Sequence, residues 1–199
     1  MLPVLIIAFA VHRGYYVRKQ GKEENTLKKR EEGTVTKLAG VFGITGFTSM
    51  IAYVINPTLL SWASLSFPLW LRWVGVGIAL PGFALLQWAQ NTLGKNWSDT
   101  PRIMKEQSLI TSGPYHFVRH PIYTAFILIM GSTLLLSSNW LVGLSWLGMT
   151  VLETASRIGF EKSLMLEYFG DQYSNYMKRT GRLLPRIISN NSSLTRPII

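Results

Sequence analysis

Apolar residues in this chain come in blocks and do not alternate with polar ones. Met1–Val17 opens on MLPVLIIAFAV before reaching His12-Arg13-Gly14. Leu38–Ile55 is a second block, closed by Asn56-Pro57, and Phe67–Trp88 is a third. Ile122–Leu136 and Trp140–Arg157 follow as a pair, joined only by Ser137-Ser138-Asn139. A helix rises ~1.5 Å per residue, so about 20 apolar residues cross ~30 Å of hydrocarbon. Blocks of this length predict an all-α integral membrane protein of about five transmembrane helices, the last two forming a C-terminal hairpin. Pro81-Gly82 predicts a kink in the third helix. The first block has no basic stretch ahead of it and no small-residue cleavage site, which argues against a removable signal peptide.

The segments between the blocks are polar. Arg18–Lys37 reads as a mixed-charge connector and Asn91–Pro121 as a loop. Phe160–Met177 spaces Phe160, Leu164, Tyr168 and Met165, Phe169, Tyr173, Tyr176 at helical intervals, with a break at Gly170-Asp171. That pattern predicts amphipathic, membrane-facing helices. Residues 1–90 are thus expected to hold the N-terminal membrane helices, 91–188 a region built on the loop and hairpin, and 189–199 a disordered tail.

Composition sharpens this in three ways. With 199 residues, 48% of them hydrophobic, one structural unit is expected. The net charge of +10 sits between apolar blocks, which points to anionic lipid headgroups and not to nucleic acid. Eight of the twenty Lys and Arg fall in 13–37, four in 95–119 and seven from 157 onward, while the 56–66 and 137–139 turns have none. By the positive-inside rule the connector, the 91–121 loop and the C-terminus face the cytoplasm, so the sequons at Asn96, Asn190 and Asn191 should stay unmodified. The absence of cysteine excludes disulfides, thiolate nucleophiles and thiolate metal ligands.

Candidate chemistry gathers at two places. In SGPYHFVRHPIY, residues 112–123, His116 and His120 have the i, i+4 spacing of a metal pair. Pro121 pushes His120 out of the helical region and no carboxylate lies between Glu106 and Glu153, so no metal is expected. Pro121 suits the first position of a membrane helix, with His120 as its cap. Such a helix end attracts anions, and Arg119, His120 and Tyr115 would add directional hydrogen bonds. The plainer reading is that these residues only anchor the helix at headgroup level. The second place is the ladder Glu153, Arg157, Glu161, four residues apart on one helix face and starting inside an apolar span. Charges at that depth mark functional sites by default, although an interfacial ion-paired ladder would also fix helix depth. Because the hairpin is antiparallel, both clusters should meet at one membrane surface and line a pocket. The glycines of Gly75-Val76-Gly77 and Gly82 lie inside a span with no strand before them, so they predict helix packing or bending, not a nucleotide loop.

These residues also carry a family resemblance. Gly94-Lys95-Asn96-Trp97, then residues 108–115 (SLITSGPY), then 118–123 (VRHPIY), then Glu161, Leu164, Glu167, Phe169-Gly170, Tyr173 and Tyr176, and finally 181–185 (GRLLP) together resemble the isoprenylcysteine carboxyl methyltransferase family. That family includes prokaryotic members and is related to the phospholipid methyltransferases. The likeness covers about Gly94 to Pro185. It implies a membrane methyltransferase that uses S-adenosyl-L-methionine, with 91–188 as its catalytic region. Position by position, it implies a cofactor site of Gln107, Ser108, Leu109, Ile110, Tyr115, His120, Pro121, Ile122 and Tyr123, closed by Glu161, on the cytoplasmic side. Arg157 matches the family's substrate-side arginine. Eukaryotic members carry a run of acidic residues where this chain has Gly159-Phe160-Glu161-Lys162. The implied partners are membrane lipids and a lipophilic methyl acceptor, by O-methylation of a prenylcysteine carboxylate. A phospholipid or small-molecule N- or S-acceptor is the alternative, and Glu153 or Glu161 would then serve as base. The reading outside enzymes is a small membrane scaffold or transporter component.

Overall fold

A computed structural model of the chain describes residues 1–19, 33–96 and 107–186. The middle of the charged connector, most of the first sequon, the other two sequons and the 189–199 tail lie outside these residues. Among the described residues the structure is almost wholly helical: α1 (Leu2–Lys19), α2 (Thr34–Ile55), α3 (Leu69–Leu93), α4 (Pro121–Ser137), α5 (Trp140–Phe169) and α6 (Asp171–Arg179), with short 3₁₀ turns at Pro57–Ala63, Gly94–Asn96 and Gly113–His116. α3 packs along α4, α2 along α5, and α4 against α5.

Two of these helices, Thr34–Ile55 and Leu69–Leu93, are long and apolar enough to cross a membrane, and Pro121–Ser137 is a shorter apolar helix of 17 residues. Their outward faces carry large apolar side chains, among them Ile44, Phe47, Trp70 and Trp73. Hydrocarbon outside the bundle suits such faces, whereas water would drive them to aggregate. The inward faces use small residues. A Cβ on Gly82 would come within 2.9 Å of Ile129 Cγ1, and one on Gly75 within 3.0 Å of Leu135 Cβ. These two glycines let α3 and α4 approach, while Gly77 faces open space. α3 runs on as helix through Pro81 and ends at Leu93, well beyond Trp88; Gly94, at φ 52, terminates it.

One end of the bundle is tied by the hairpin turn. Asn139 caps α5 by accepting from the Val142 amide at 3.2 Å, and its Nδ2 donates to the Leu60 carbonyl at 2.8 Å. The Leu65 amide donates to the Ser138 carbonyl at 2.7 Å, Tyr53 to the Ser137 carbonyl at 2.8 Å, and Arg72 to Ser138 Oγ at 3.1 Å. The two turns that lack charge in the sequence therefore share one end. Two further findings differ from the sequence expectations. α5 is continuous through Arg157–Phe160, because the lone Gly159 does not interrupt a helix whose packing already holds it. The helix breaks only at Gly170, at φ 50. α6 does not turn its aromatic face to the membrane: Tyr173 and Tyr176 are buried against the protein.

Candidate active site at the start of α4

The site lies at the end opposite the hairpin turn, where α4 begins, α5 continues past it and α6 folds back. Pro121 is the first residue of α4 and is fully buried. Its fixed φ and missing N–H fit a first-turn position. The His120 carbonyl accepts from the Tyr123 and Thr124 amides, both at 3.1 Å. His120 occupies the cap position, but its side chain makes no capping bond. The ring reaches across to α5, where Nδ1 lies 3.3 Å from Glu161 Oε2. It stacks on the Tyr123 ring with centroids 5.6 Å apart. The Tyr123 hydroxyl donates to the other Glu161 oxygen. One carboxylate is thus held by two groups from the neighbouring helix, which fixes its direction.

One turn before Glu161 on α5, Arg157 Nε donates to Glu153 Oε2 at 3.0 Å. The guanidinium also stands within electrostatic reach of Tyr123 and Glu161. The ladder read from the sequence splits: Glu153 pairs with Arg157 along α5, and Glu161 turns to α4. The two polar clusters do meet at one end of the bundle.

Other candidate residues are placed differently. Ser108 is held at the end of α3 by Asn96, whose Oδ1 accepts from the Ser108 amide at 3.3 Å and whose Nδ2 donates to Ser108 Oγ at 3.3 Å. Gln107, Leu109 and Ile110 belong to the same extended segment and are half-buried. Ile122 packs against the apolar core and not into the polar cluster. Tyr115 is buried, and its carbonyl accepts from the Tyr176 hydroxyl at 2.6 Å. Burial, then Tyr176 and Glu161 nearby, hold the Tyr115 hydroxyl well above the usual tyrosine range. Burial, then Tyr173, pushes Tyr176 up to about 12. Arg119 does not point to an open anion site: Nη1 donates to the carbonyls of Met177 and Thr180 at 2.8 and 2.7 Å. His116 is exposed and rests edge-on against Phe117. No group of three metal-ligating side chains occurs among the described residues.

Sequence reasoning missed a second polar cluster, between α1 and α3. His12 Nε2 lies 3.0 Å from Gln87 Oε1, Tyr16 donates to Asn91 Oδ1 at 2.6 Å, and Gln87 Nε2 donates to Tyr16 at 2.7 Å. Its signal was present as polar residues at i, i+4 on each helix, His12 with Tyr16 and Gln87 with Asn91.

The sequence profile of the isoprenylcysteine carboxyl methyltransferase family matches residues 74–167, which hold α4, most of α5 and every residue of the Tyr123, His120, Arg157, Glu161 cluster. That stretch is similar to the family's members. Among curated relatives, protein-S-isoprenylcysteine O-methyltransferase B of Arabidopsis thaliana is 26% identical over 118 residues, 58% of this chain and 60% of that protein. The Homo sapiens protein-S-isoprenylcysteine O-methyltransferase is 30% identical over 129 residues, 63% of this chain and 45% of that one. The chain therefore spans about half the length of the curated relatives it matches. A solved structure of the eukaryotic intramembrane Ras methyltransferase ICMT superposes with a TM-score of 0.55 at 24% identity, over 79% of this chain and 54% of that one. That likeness shows the fold, an all-α membrane fold.

Proposed function

We propose that this chain is an S-adenosylmethionine-dependent membrane methyltransferase acting on a lipophilic acceptor of the isoprenylcysteine carboxylate type. The observation that carries this reading is the joining of His120 and Tyr123 on α4 to Glu161 on α5, inside the region that matches the methyltransferase family. The donor set suits the cofactor. A fixed carboxylate matches the ammonium of its amino-acid end, and the aromatic faces beside it suit a sulfonium and an adenine. Glu161, Tyr123, His120 and Tyr115 would hold it, with residues 107–110 along its other side. When bound, S-adenosylmethionine supplies an electrophilic methyl group on a sulfonium.

The chain's own part is positioning. His120 and Tyr123 keep the Glu161 carboxylate aimed, so that it balances positive charge in one direction only. Arg157 holds an anionic acceptor near that carboxylate. The buried start of α4 keeps water out, and alignment in such a dry site contributes roughly 7–11 kcal/mol to a two-reactant step. A carboxylate acceptor needs no base. An amine acceptor would, yet Glu153 is paired with Arg157 and Glu161 with His120 and Tyr123, which favours the carboxylate. The five-span arrangement, with this site on the cytoplasmic side, follows from the charge distribution of the sequence.

The test is calorimetric binding of S-adenosylmethionine and S-adenosylhomocysteine to detergent-purified protein, followed by labelled methyl transfer to a farnesylcysteine analogue and to phospholipids. Binding with transfer to the prenylcysteine is expected. No binding at millimolar cofactor would sink the enzyme reading in favour of a scaffold, and transfer to phospholipid alone would overturn the acceptor.

A further inference from the structure

The residues just after α6 form a strap across the start of α4. Val118 and Gly181 make a parallel bridge. The Arg119 amide donates to the Gly181 carbonyl at 2.9 Å and the His120 amide to the Arg182 carbonyl at 3.1 Å. Thr124 Oγ1 donates to the Leu183 carbonyl at 2.7 Å. Backbone bridges this short do not hold a segment on their own, since each bond contributes little net of the water it replaces. The Arg119 side chain supplies a charged tie. Its guanidinium bonds the carbonyls of Met177, in the last turn of α6, and Thr180, the residue that follows the helix, where a cation also complements the helix dipole. Tyr176 ties the same helix to the Tyr115 carbonyl.

The ring closes through Gly170. α6 hangs from α5, α5 carries Glu161, Glu161 grips the His120 ring, and the strap grips the His120 backbone. We infer that Arg119 is a positioning residue of the proposed cofactor site: it latches the C-terminal strap to the start of α4 and thereby sets His120 against Glu161, without touching the cofactor's carboxylate. This rests on the cofactor reading above and gives Arg119 a role the sequence did not, since there it was a donor to a bound anion.

Two ligands separate the roles. S-adenosylhomocysteine carries the amino-acid carboxylate, and 5′-methylthioadenosine keeps the adenosine and sulfur without it. Binding of each to the wild-type chain, Arg119→Ala and Arg119→Lys is measured by calorimetry. Amide exchange is followed over residues 115–124 and 176–186. With a latch, Arg119→Ala weakens both ligands by the same factor, at least about tenfold, exchange rises in both segments, and Arg119→Lys restores part of each effect. Loss confined to S-adenosylhomocysteine, with exchange unchanged, would overturn the latch in favour of a direct anion contact. Unchanged exchange with unchanged binding would also overturn it. If the wild type binds neither ligand, the cofactor reading fails by itself, and the exchange comparison still decides whether Arg119 holds the strap. Should the alanine variant not fold, Arg119→Lys decides alone: its side chain ends one bond short of Nη1, the nitrogen that bonds both carbonyls, so wild-type exchange and binding would overturn the latch.

Discussion

His120 Nδ1 stands 3.3 Å from the Glu161 carboxylate, one residue ending a loop before α4 and the other lying in the middle of α5. That contact, with the Tyr123 hydroxyl on the other carboxylate oxygen, converts two separate sequence motifs into one site.

Glu161→Gln removes the charge while keeping the shape. Hydrogen bonds to a charged group contribute about 1.5–3 kcal/mol, so affinity for S-adenosylhomocysteine should fall by roughly 10- to 150-fold, with the thermal midpoint little changed. Equal affinity in calorimetry would remove Glu161 from the cofactor site. Tyr123→Phe should lose less, because His120 still orients the carboxylate.

Arg157→Ala is expected to act on the acceptor. It should raise KM for a prenylcysteine substrate at least about tenfold and leave cofactor affinity within about twofold. A matching loss of cofactor affinity would place Arg157 on the other ligand. Glu153→Gln frees the guanidinium from its partner along α5 and should change KM less than Arg157→Ala does.

Three glycine substitutions test the packing. A Cβ on Gly143 would lie 2.3 Å from Leu134 Cα, so Gly143→Ala should force α4 and α5 apart and lower stability by about 2 kcal/mol or more. A Cβ on Gly181 would lie 1.7 Å from the Leu184 carbonyl oxygen; Gly181→Ala should loosen the strap and weaken cofactor binding while α1–α5 stay folded. Gly77→Ala meets nothing within 4 Å and should be neutral or up to about 1 kcal/mol stabilising. Circular dichroism melts in detergent rank the three, and a Gly143→Ala protein as stable as Gly77→Ala would contradict the hairpin contact.

Alkali provides a further test. Tyr115, Tyr173 and Tyr176 all have hydroxyls raised by burial, Tyr176 to about 12. The folded state therefore favours their protonated form. Stability from this source is fully present below the unfolded value near pH 10 and is lost as pH rises toward about 12. Thermal midpoints should fall steeply above about pH 10, and Tyr176→Phe should flatten that fall while costing about 1–3 kcal/mol at neutral pH, because the Tyr115 carbonyl is left without its donor.

Much of this was legible in the sequence because it is local. Pro121 opens α4, Asn139 caps α5 and Gly170 ends it, each through its own backbone preference. The apolar blocks located the starts of α1–α5 to within a few residues, since hydrophobic runs report burial or lipid contact directly, while α5 runs on as helix well past its block. The convergence of the loop and the ladder was legible too, because two antiparallel helices joined by a three-residue turn must return to the same surface. The fate of each side chain was not. His120 had the position of a cap but turned to Glu161, and Arg119 had the charge for an anion but met two carbonyls at the end of α6.

What the sequence alone determined, then, is where the apolar helices begin, the antiparallel hairpin of α4 and α5 and the end at which polar chemistry gathers, all consequences of period, length and turn residues. The tertiary structure decided which donor meets which acceptor. Arg119, Tyr173, Tyr176 and the strap are brought to α4 by the fold-back of α6 at Gly170, and whether that helix lies on lipid or on the loop depends on long-range hydrogen bonds to Tyr115 and Arg119 that no local pattern encodes.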